Sequence, residues 1–357
     1  MSVIVGMQSF ATCQEVFSQF GVFGYFHQQY KVDGVATAGG WRDGQNDNHP
    51  NLFYNQPVTV KKEGSEYSCW YPEEDSRFWP RNTLDRISFL AYYPYNDVIY
   101  NGSELDGDSI VEPVLDAGDD GMVGFYYIVP YEDTKQVDFM VSDLCMDQSK
   151  SAGRLTGTDK VKFNFHHALS QVRIKAVNFD TSGNNGVELK INYILFEGVA
   201  VFGMCVPTPD YGTLTEDGNV TVRPEWPTTN LSPTRPDVTE NVLAHQYYDA
   251  VTGDPVPENI LLMIPHEFLS GSRITVNFDV TRPLDDEDSD RSTNENYIYK
   301  DCTLSAPLAN YQLGEWEPGF IYNYIINLDL KKITFTCDVS PWLAGGDDVI
   351  LEEVEDD

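Results

Sequence analysis

Adjacent histidines at positions 166 and 167 are the first residues whose type could do chemistry, since paired imidazoles bind metal ions or relay protons. They close the run Val161, Phe163, Phe165, which alternates with Lys162 and Asn164. Neighbours in a strand point to opposite faces, so the two rings converge only at a bend, and His166-His167 reads as structural, at a strand kink. Pro265-His266-Glu267 sets another imidazole beside a carboxylate. No HExxH, GxSxG or P-loop accompanies it, and a dipeptide alone does not make a catalytic site. The acidic run Asp285-Asp286-Glu287-Asp288-Ser289-Asp290 offers the hard oxygen ligands that calcium takes. It lacks the glycine and distant glutamate of an EF-hand loop and reads as a solvated loop. With 56 Asp and Glu in the chain, chance carboxylate pairs are guaranteed, so none is singled out for glycoside hydrolysis. The expectation is a chain with no catalytic residue, no cofactor and no metal site: not an enzyme.

Six cysteines, Cys13, Cys69, Cys145, Cys205, Cys302 and Cys337, are widely spaced, with no CxxC pair and no histidine at zinc-finger spacing. Cys69 adjoins Trp70, and Cys337 shares the parity of Ile333, Phe335 and Val339, so these behave as small core residues and free thiols are favoured over disulfides. Aromatics are the remaining functional candidates. Trp41, Tyr71, Trp79, Tyr92, Tyr93 and Tyr95 could stack on sugar rings, although most of the six are expected in core or interdomain packing, which large rings dominate in β-sandwiches. Trp41, Tyr71 and Tyr95 are the candidate exposed aromatics for adhesion.

The formal charge of −33, from 56 acidic and 23 basic residues, repels phosphate backbones and anionic membrane surfaces. Nucleic acid is therefore excluded as a partner, while the charge by itself names no positive one. A length of 357 residues with 41% apolar content is enough for two domains, each with its own core. No stretch reaches the roughly 20 apolar residues of a spanning helix, and Met-Ser-Val-Ile-Val-Gly-Met lacks the basic flank of a signal peptide.

The elements that must carry these residues are strands. Apolar side chains alternate with polar ones in Val172, Ile174, Ala176, in Ile274, Val276, Phe278, Val280, and in Tyr322, Tyr324, Ile326, Leu328. The final run, Ile333, Phe335, Cys337, Val339, follows after the short Leu330-Lys331-Lys332 connection, which predicts a hairpin. In the first half, 20–26, 52–60, 67–71, 87–93, 123–129 and 137–141 are rich in β-branched and aromatic residues and bounded by turn formers. The polar stretch 147–159 reads as a linker between domains 1–155 and 156–357. Segments 101–120, 207–254 and 283–296 read as long loops at sandwich ends.

Several blocks occur in a recognisable order. They are Phe20-Gly21-Val22-Phe23-Gly24-Tyr25, Phe53-Tyr54-Asn55-Gln56-Pro57-Val58, Trp70-Tyr71-Pro72, Phe78-Trp79-Pro80 and Ile87-Ser88-Phe89-Leu90-Ala91-Tyr92-Tyr93-Pro94. Val137-Asp138-Phe139-Met140-Val141, Phe165-His166-His167-Ala168-Leu169-Ser170, Ile264-Pro265 and Trp316-Glu317-Pro318-Gly319 follow. Together they resemble the fimbrillin family, the type V pilus and related Mfa-like surface proteins of Bacteroidetes, over nearly the whole chain. The resemblance implies an all-β fold of two tandem transthyretin-like, Greek-key β-sandwich domains. It also implies export as a lipoprotein precursor anchored at the outer membrane, a place on the cell surface or fimbrium, and removal of an N-terminal strand, often after an arginine. The first arginine here is Arg42.

The function so implied is a structural subunit of a type V-like fimbria or fimbria-like adhesin, assembled by β-strand donation with other fimbrial subunits. Host or bacterial surface glycans or proteins are further expected partners. The physics suits that mechanism, because an added strand satisfies an unpaired sheet edge and buries alternate side chains. Ile333, Phe335, Cys337 and Val339 mark either the donor strand or an ordinary closing strand of their own domain. A monomeric surface lipoprotein that binds glycans through exposed aromatics is the alternative function.

Overall fold

The computed structural model describes residues 2–5, 18–42, 49–63, 66–70, 79–100, 110–115, 121–130, 135–149, 160–179, 188–215, 218–233, 243–246, 260–282, 297–309, 313–328 and 332–342. The first half forms β1 (Ser2–Val5), β2 (Gln19–His27), β3 (Tyr30–Val32), β4 (Val35–Thr37), β5 (Phe53–Glu63) and β6 (Glu66–Trp70). It continues through β7 (Arg86–Tyr93), β8 (Val111–Val114), β9 (Gly124–Ile128), β10 (Met140–Ser142) and β11 (Cys145–Gln148). Next come β12 (Lys160–Phe163), β13 (Phe165–His167), β14 (Ser170–Phe179), β15 (Glu188–Glu197), β16 (Phe202–Leu214) and β17 (Val220–Glu225). Then follow β18 (Leu243–Gln246), β19 (Ile260–Met263), β20 (His266–Glu267) and β21 (Arg273–Arg282). The last are β22 (Tyr297–Pro307), β23 (Glu315–Trp316), β24 (Phe320–Leu328) and β25 (Ile333–Pro341). The fold is all-β, as expected.

The largest sheet runs β13-β10-β7-β2-β5-β6, with β11 also paired to β7. Its central strands are apolar at almost every position, and Ile87 through Tyr93 of β7 are all buried. That pattern arises because both faces are covered, so neither parity is left to water. On one face Phe23 and Tyr92 meet Phe125 of the sheet β17-β16-β9-β8, with the Tyr92 and Phe125 ring centroids 4.8 Å apart. On the other, Phe20 and Phe89 pack edge-on against Phe163 of β12 at 6.1 and 6.4 Å. A side chain at Gly21 would collide with the Tyr92 ring, as a Cβ there would lie 2.2 Å from Cε1, so this position of β2 requires glycine.

A second pair of sheets, β19-β14-β24-β25 and β18-β15-β21-β22, carries the alternating runs of the second half. Here only one face of each is dry. Tyr322, Tyr324, Ile326 and Leu328 point inward while Asn323 and Asn327 do not, and they meet Phe196, Val276 and Phe278 from the opposite sheet. Phe196 and Tyr324 lie 5.8 Å apart across this interior. The expected hairpin is present, since β24 and β25 pair antiparallel over nine residues from Phe320↔Pro341 to Leu328↔Ile333.

The stretch 207–254, expected as a loop, instead contains most of β16 with β17 and β18. Pro207, Pro209 and Pro224 argue against a strand because proline has no N–H to give a ladder. They are accommodated because β17 is a sheet edge and the pairing with β16 is irregular beyond Pro209. The expected division at 155/156 falls among residues outside the described set, and its supposed linker begins with β11, not coil. Backbone pairing crosses that position: β13 pairs β10 and β16 pairs β9. One buried cluster runs from Phe125 and Phe139 through Ala168, Val201, Trp226 and Met263 to Phe196 and Tyr324. A continuous apolar interface of this kind holds the two sheet pairs in a fixed relation.

Candidate functional site

β13 makes two acid–histidine contacts at the seam, one joining the sheets of the first pair and one beside the end of β25. His166 and His167 point to opposite sides of β13, as strand geometry requires, and each finds its own carboxylate. His166 Nε2 lies 2.7 Å from Oδ1 of Asp143, a carboxylate with no exposed surface. Asp143 also accepts from the Asn164 side-chain amide at 3.2 Å and from the Val222 N–H at 3.3 Å, so one buried group ties β13 to β17. His167 Nδ1 lies 2.8 Å from Asp138 Oδ2, and its ring stacks on Trp342 at 3.7 Å with 7° between planes. The pair is therefore divided between two structural contacts at the seam and does not converge on one site.

His266 is likewise structural. Its Nδ1–H donates to the Ile264 carbonyl at 2.8 Å and its Nε2 accepts from the Ala200 N–H at 3.2 Å, which requires the neutral ring. Burial lowers its pKa from the ordinary value of 6.5, against a smaller opposing effect of the Ile264 carbonyl. Below that value the unfolded chain takes a proton that the folded ring refuses, so this contribution to stability is full above pH 6.5 and declines as pH falls towards the folded pKa. Replacing His266 by Phe leaves two buried backbone groups unpaired at a cost of about 1–3 kcal/mol at neutral pH. The stability gap between wild type and His266→Phe, measured by guanidinium unfolding, narrows between about pH 7.5 and 5. A gap independent of pH would contradict this assignment.

The adhesion candidates are distributed differently from expectation. Trp41 is 3% exposed and so is corrected from surface to core. Its ring meets Tyr25 edge-on at 4.8 Å, and its Nε1–H donates to Tyr211 Oη at 2.9 Å. The cause is a loop that folds back, with the Trp41 N–H bound to Asp147 Oδ1 at 2.7 Å and Arg42 over the Tyr211 ring at 4.4 Å. Tyr95 is half-buried against the core, and burial raises its pKa. Tyr71 lies outside the described residues, as does the acidic run 285–290. Among the described residues, Tyr54 and Tyr299, at 56% and 57%, are the exposed tyrosines. They stand on β5 and β22, in different sheets, and no sequence signal separated them from the buried tyrosines.

Ile333, Phe335, Cys337 and Val339 lie on β25, paired with β24 of the same chain and placed at the end of its sheet. Among the described residues no strand pairs its outer edge. Cover fades along the inward-facing parity, from Ile333 at 6% through half-buried Phe335 and Cys337 to Val339 at 48%. Burial pushes the Cys337 thiol up to about 12, and Cys205, Cys302 and Cys337 are free thiols. At the opposite end of the chain, β1 is held by four parallel residue pairs to β12.

Beside the seam opens a groove of about 990 Å3. His167, Arg223, Glu225, Glu315, Glu317 and Trp342 line it, and Phe165 and Phe320 add apolar surface. The three glutamates are exposed, while Arg223 is held by Asp210 at 2.9 Å. Trp342 enters because its N–H donates to the Gly319 carbonyl at 2.7 Å, which brings the end of β25 onto the turn before β24. Among the described residues no cluster of three His, Cys, Asp or Glu is arranged to hold a metal ion.

The family model described as fimbrillin-like matches residues 20–342, which is most of the chain and includes the seam and the groove. The chain belongs to the fimbrillin-like family. A fimbrial protein from Bacteroides vulgatus superposes on this fimbrillin-like chain with a TM-score of 0.57 at 16% identity, covering 96% of this chain and 99% of that one. At that identity the likeness is one of fold. A fimbrilin from Porphyromonas gingivalis aligns over 96% of this chain and 98% of its own, with 9% identity and a TM-score of 0.40. No curated protein matches the chain. No helix among the described residues is long and apolar enough to cross a membrane.

Proposed function

We propose that this fimbrillin-like chain is a non-catalytic structural subunit of a fimbria or fimbria-like surface adhesin. It works outside the cytoplasm, its precursor held at the outer membrane by a lipid, and joins other fimbrial subunits by β-strand addition. Family membership over residues 20–342 and the fold shared with a fimbrial protein support the reading.

The observation that carries the assembly step is the attachment of β1. Among the described residues its backbone pairing is the four residue pairs to β12, whereas β2 is paired on both sides. A strand so weakly secured opens locally at low cost. Its partner β12 places Val161 and Phe163, at 2% and 0% exposure, in the aromatic cluster with Phe20 and Phe89. Loss of β1 leaves that strand with an unpaired edge, and a terminal strand from the next subunit restores the pairing. β25, with its alternating Ile333, Phe335, Cys337 and Val339, has the pattern a donor needs, and its hairpin with β24 is the competing, intrachain use of the same segment.

Trypsin does not remove β1 cleanly, because no Lys or Arg occurs before Lys31, inside β3. The test is therefore a chain beginning at Ser18, compared with the full chain by size exclusion and electron microscopy. The shortened chain forms filaments or ladders at concentrations where the full chain stays monomeric, and an excess of a peptide spanning residues 1–17 suppresses them. A shortened chain that remains monomeric at every concentration rejects strand addition at β12.

A further inference from the structure

We propose that the seam groove is a docking site for a basic, extended segment of a partner protein, holding a lysine or arginine side chain against Trp342. This surface is separate from the β1–β12 pairing and does not depend on it.

Three independent features of the groove favour a cationic donor. Among the described residues its exposed acids are Glu225, Glu315 and Glu317, and the guanidinium that lines it, Arg223, also exposed, already pairs with Asp210. Trp342 is half-buried, with one face on His167, and lines the groove with the surface that stack leaves uncovered. An indole fixed in this way is the best side-chain platform for an ammonium or guanidinium group. Finally, His167 also lines the groove, with its side chain only 8% exposed, and its buried Nε2 has no hydrogen-bond partner among the described residues. With Nδ1–H given to Asp138, the neutral ring carries its lone pair on Nε2, and this unpaired acceptor under the Trp342 stack adds to the attraction for a cation on the open face of the indole.

Charge decides which occupant fits. The chain's own segment 343–357 begins at Trp342, the edge of the groove, but it carries Asp347, Asp348, Glu352, Glu353, Glu355, Asp356 and Asp357 and no Lys or Arg. Seven carboxylates beside three more repel, so charge favours a basic partner segment over this one. Apolar surface from Phe165 and Phe320 suits the stem of a long basic side chain, which packs its methylenes while keeping its head among carboxylates.

The experiment uses the full chain and a fluorescent peptide of about eight residues in which lysine and arginine alternate with apolar residues, read by anisotropy. A peptide with glutamine at the basic positions is the control. The basic peptide binds and the glutamine peptide does not. Glu315→Gln with Glu317→Gln weakens binding about tenfold or more, and Trp342→Ala weakens it about threefold or more. Asp279→Asn with Asp301→Asn, a half-buried and an exposed acid on β21 and β22, leaves binding unchanged. Absence of binding overturns the proposal. Equal losses in the Glu315/Glu317 and Asp279/Asp301 variants overturn it too, because they show attraction to the acidic surface as a whole.

Discussion

Asp143→Ala lowers folding stability by about 3 kcal/mol, seen as a lower guanidinium midpoint with an unchanged slope. The carboxylate is wholly buried and receives His166, Asn164 and the Val222 N–H at 2.7, 3.2 and 3.3 Å. Removing it strands three donors, each costing about 1–3 kcal/mol when buried without a partner. Against this stands the relief from no longer desolvating a charged group, which is several kcal/mol for an isolated ion. The loss wins because all three donors are fixed by the β13–β17 junction and two of them belong to buried residues, Asn164 and Val222. Asp143→Asn keeps an acceptor oxygen but turns an amide N–H2 towards the donors, and costs about half as much. His166→Ala costs less than Asp143→Ala, since His166 is one-third exposed and two donors remain on the carboxylate. Stability of Asp143→Ala within about 0.5 kcal/mol of wild type would show that the seam does not rest on this group.

Trp316→Ala costs about 3–5 kcal/mol, the range for emptying a buried aromatic site that neighbours cannot fill. Trp316 is 1% exposed, with Phe268, His266 and Phe196 edge-on or tilted around it at 5.1, 5.6 and 5.9 Å. Those neighbours come from two separate places in the chain, β15 and the segment 266–268, so no single shift closes the cavity. The indole also donates Nε1–H to Tyr324 Oη at 3.0 Å, inside the second pair of sheets. Trp316→Phe separates the two contributions: it keeps most of the ring contacts, loses the hydrogen bond and costs about 1–2 kcal/mol. If the two substitutions cost the same, the hydrogen bond and not the packing holds this end of the sandwich. If Trp316→Ala costs less than about 1 kcal/mol, the site collapses around the loss and the account of a rigid aromatic cap is wrong.

Both residues were visible in the sequence for reasons other than their roles. Trp316 belongs to the Trp316-Glu317-Pro318-Gly319 block of the family resemblance, and Asp143 was one acid among 56. Nothing local distinguishes a carboxylate that will be enclosed by Asn164, His166 and Val222 from one left in water, because its enclosure depends on β17, about 80 residues away in the chain. The same holds for Trp342 and the groove, assembled from β13, β17, the turn before β24 and the end of β25.

Side-chain parity is a property of extended backbone at each position, and it was legible without any structure. It determined the all-β class, the β24–β25 hairpin and the inward set of β14, β21 and β24. The order of aromatic blocks identified the family. Tertiary structure alone decided which faces were covered. It buried both sides of β7, drew Trp41 from the surface into the core, and closed β13 and β16 onto strands from the other side of residue 155. The physical reason is range: alternation is written by neighbours two positions apart, whereas burial and hydrogen-bond partners are set by segments that meet only after the chain has folded.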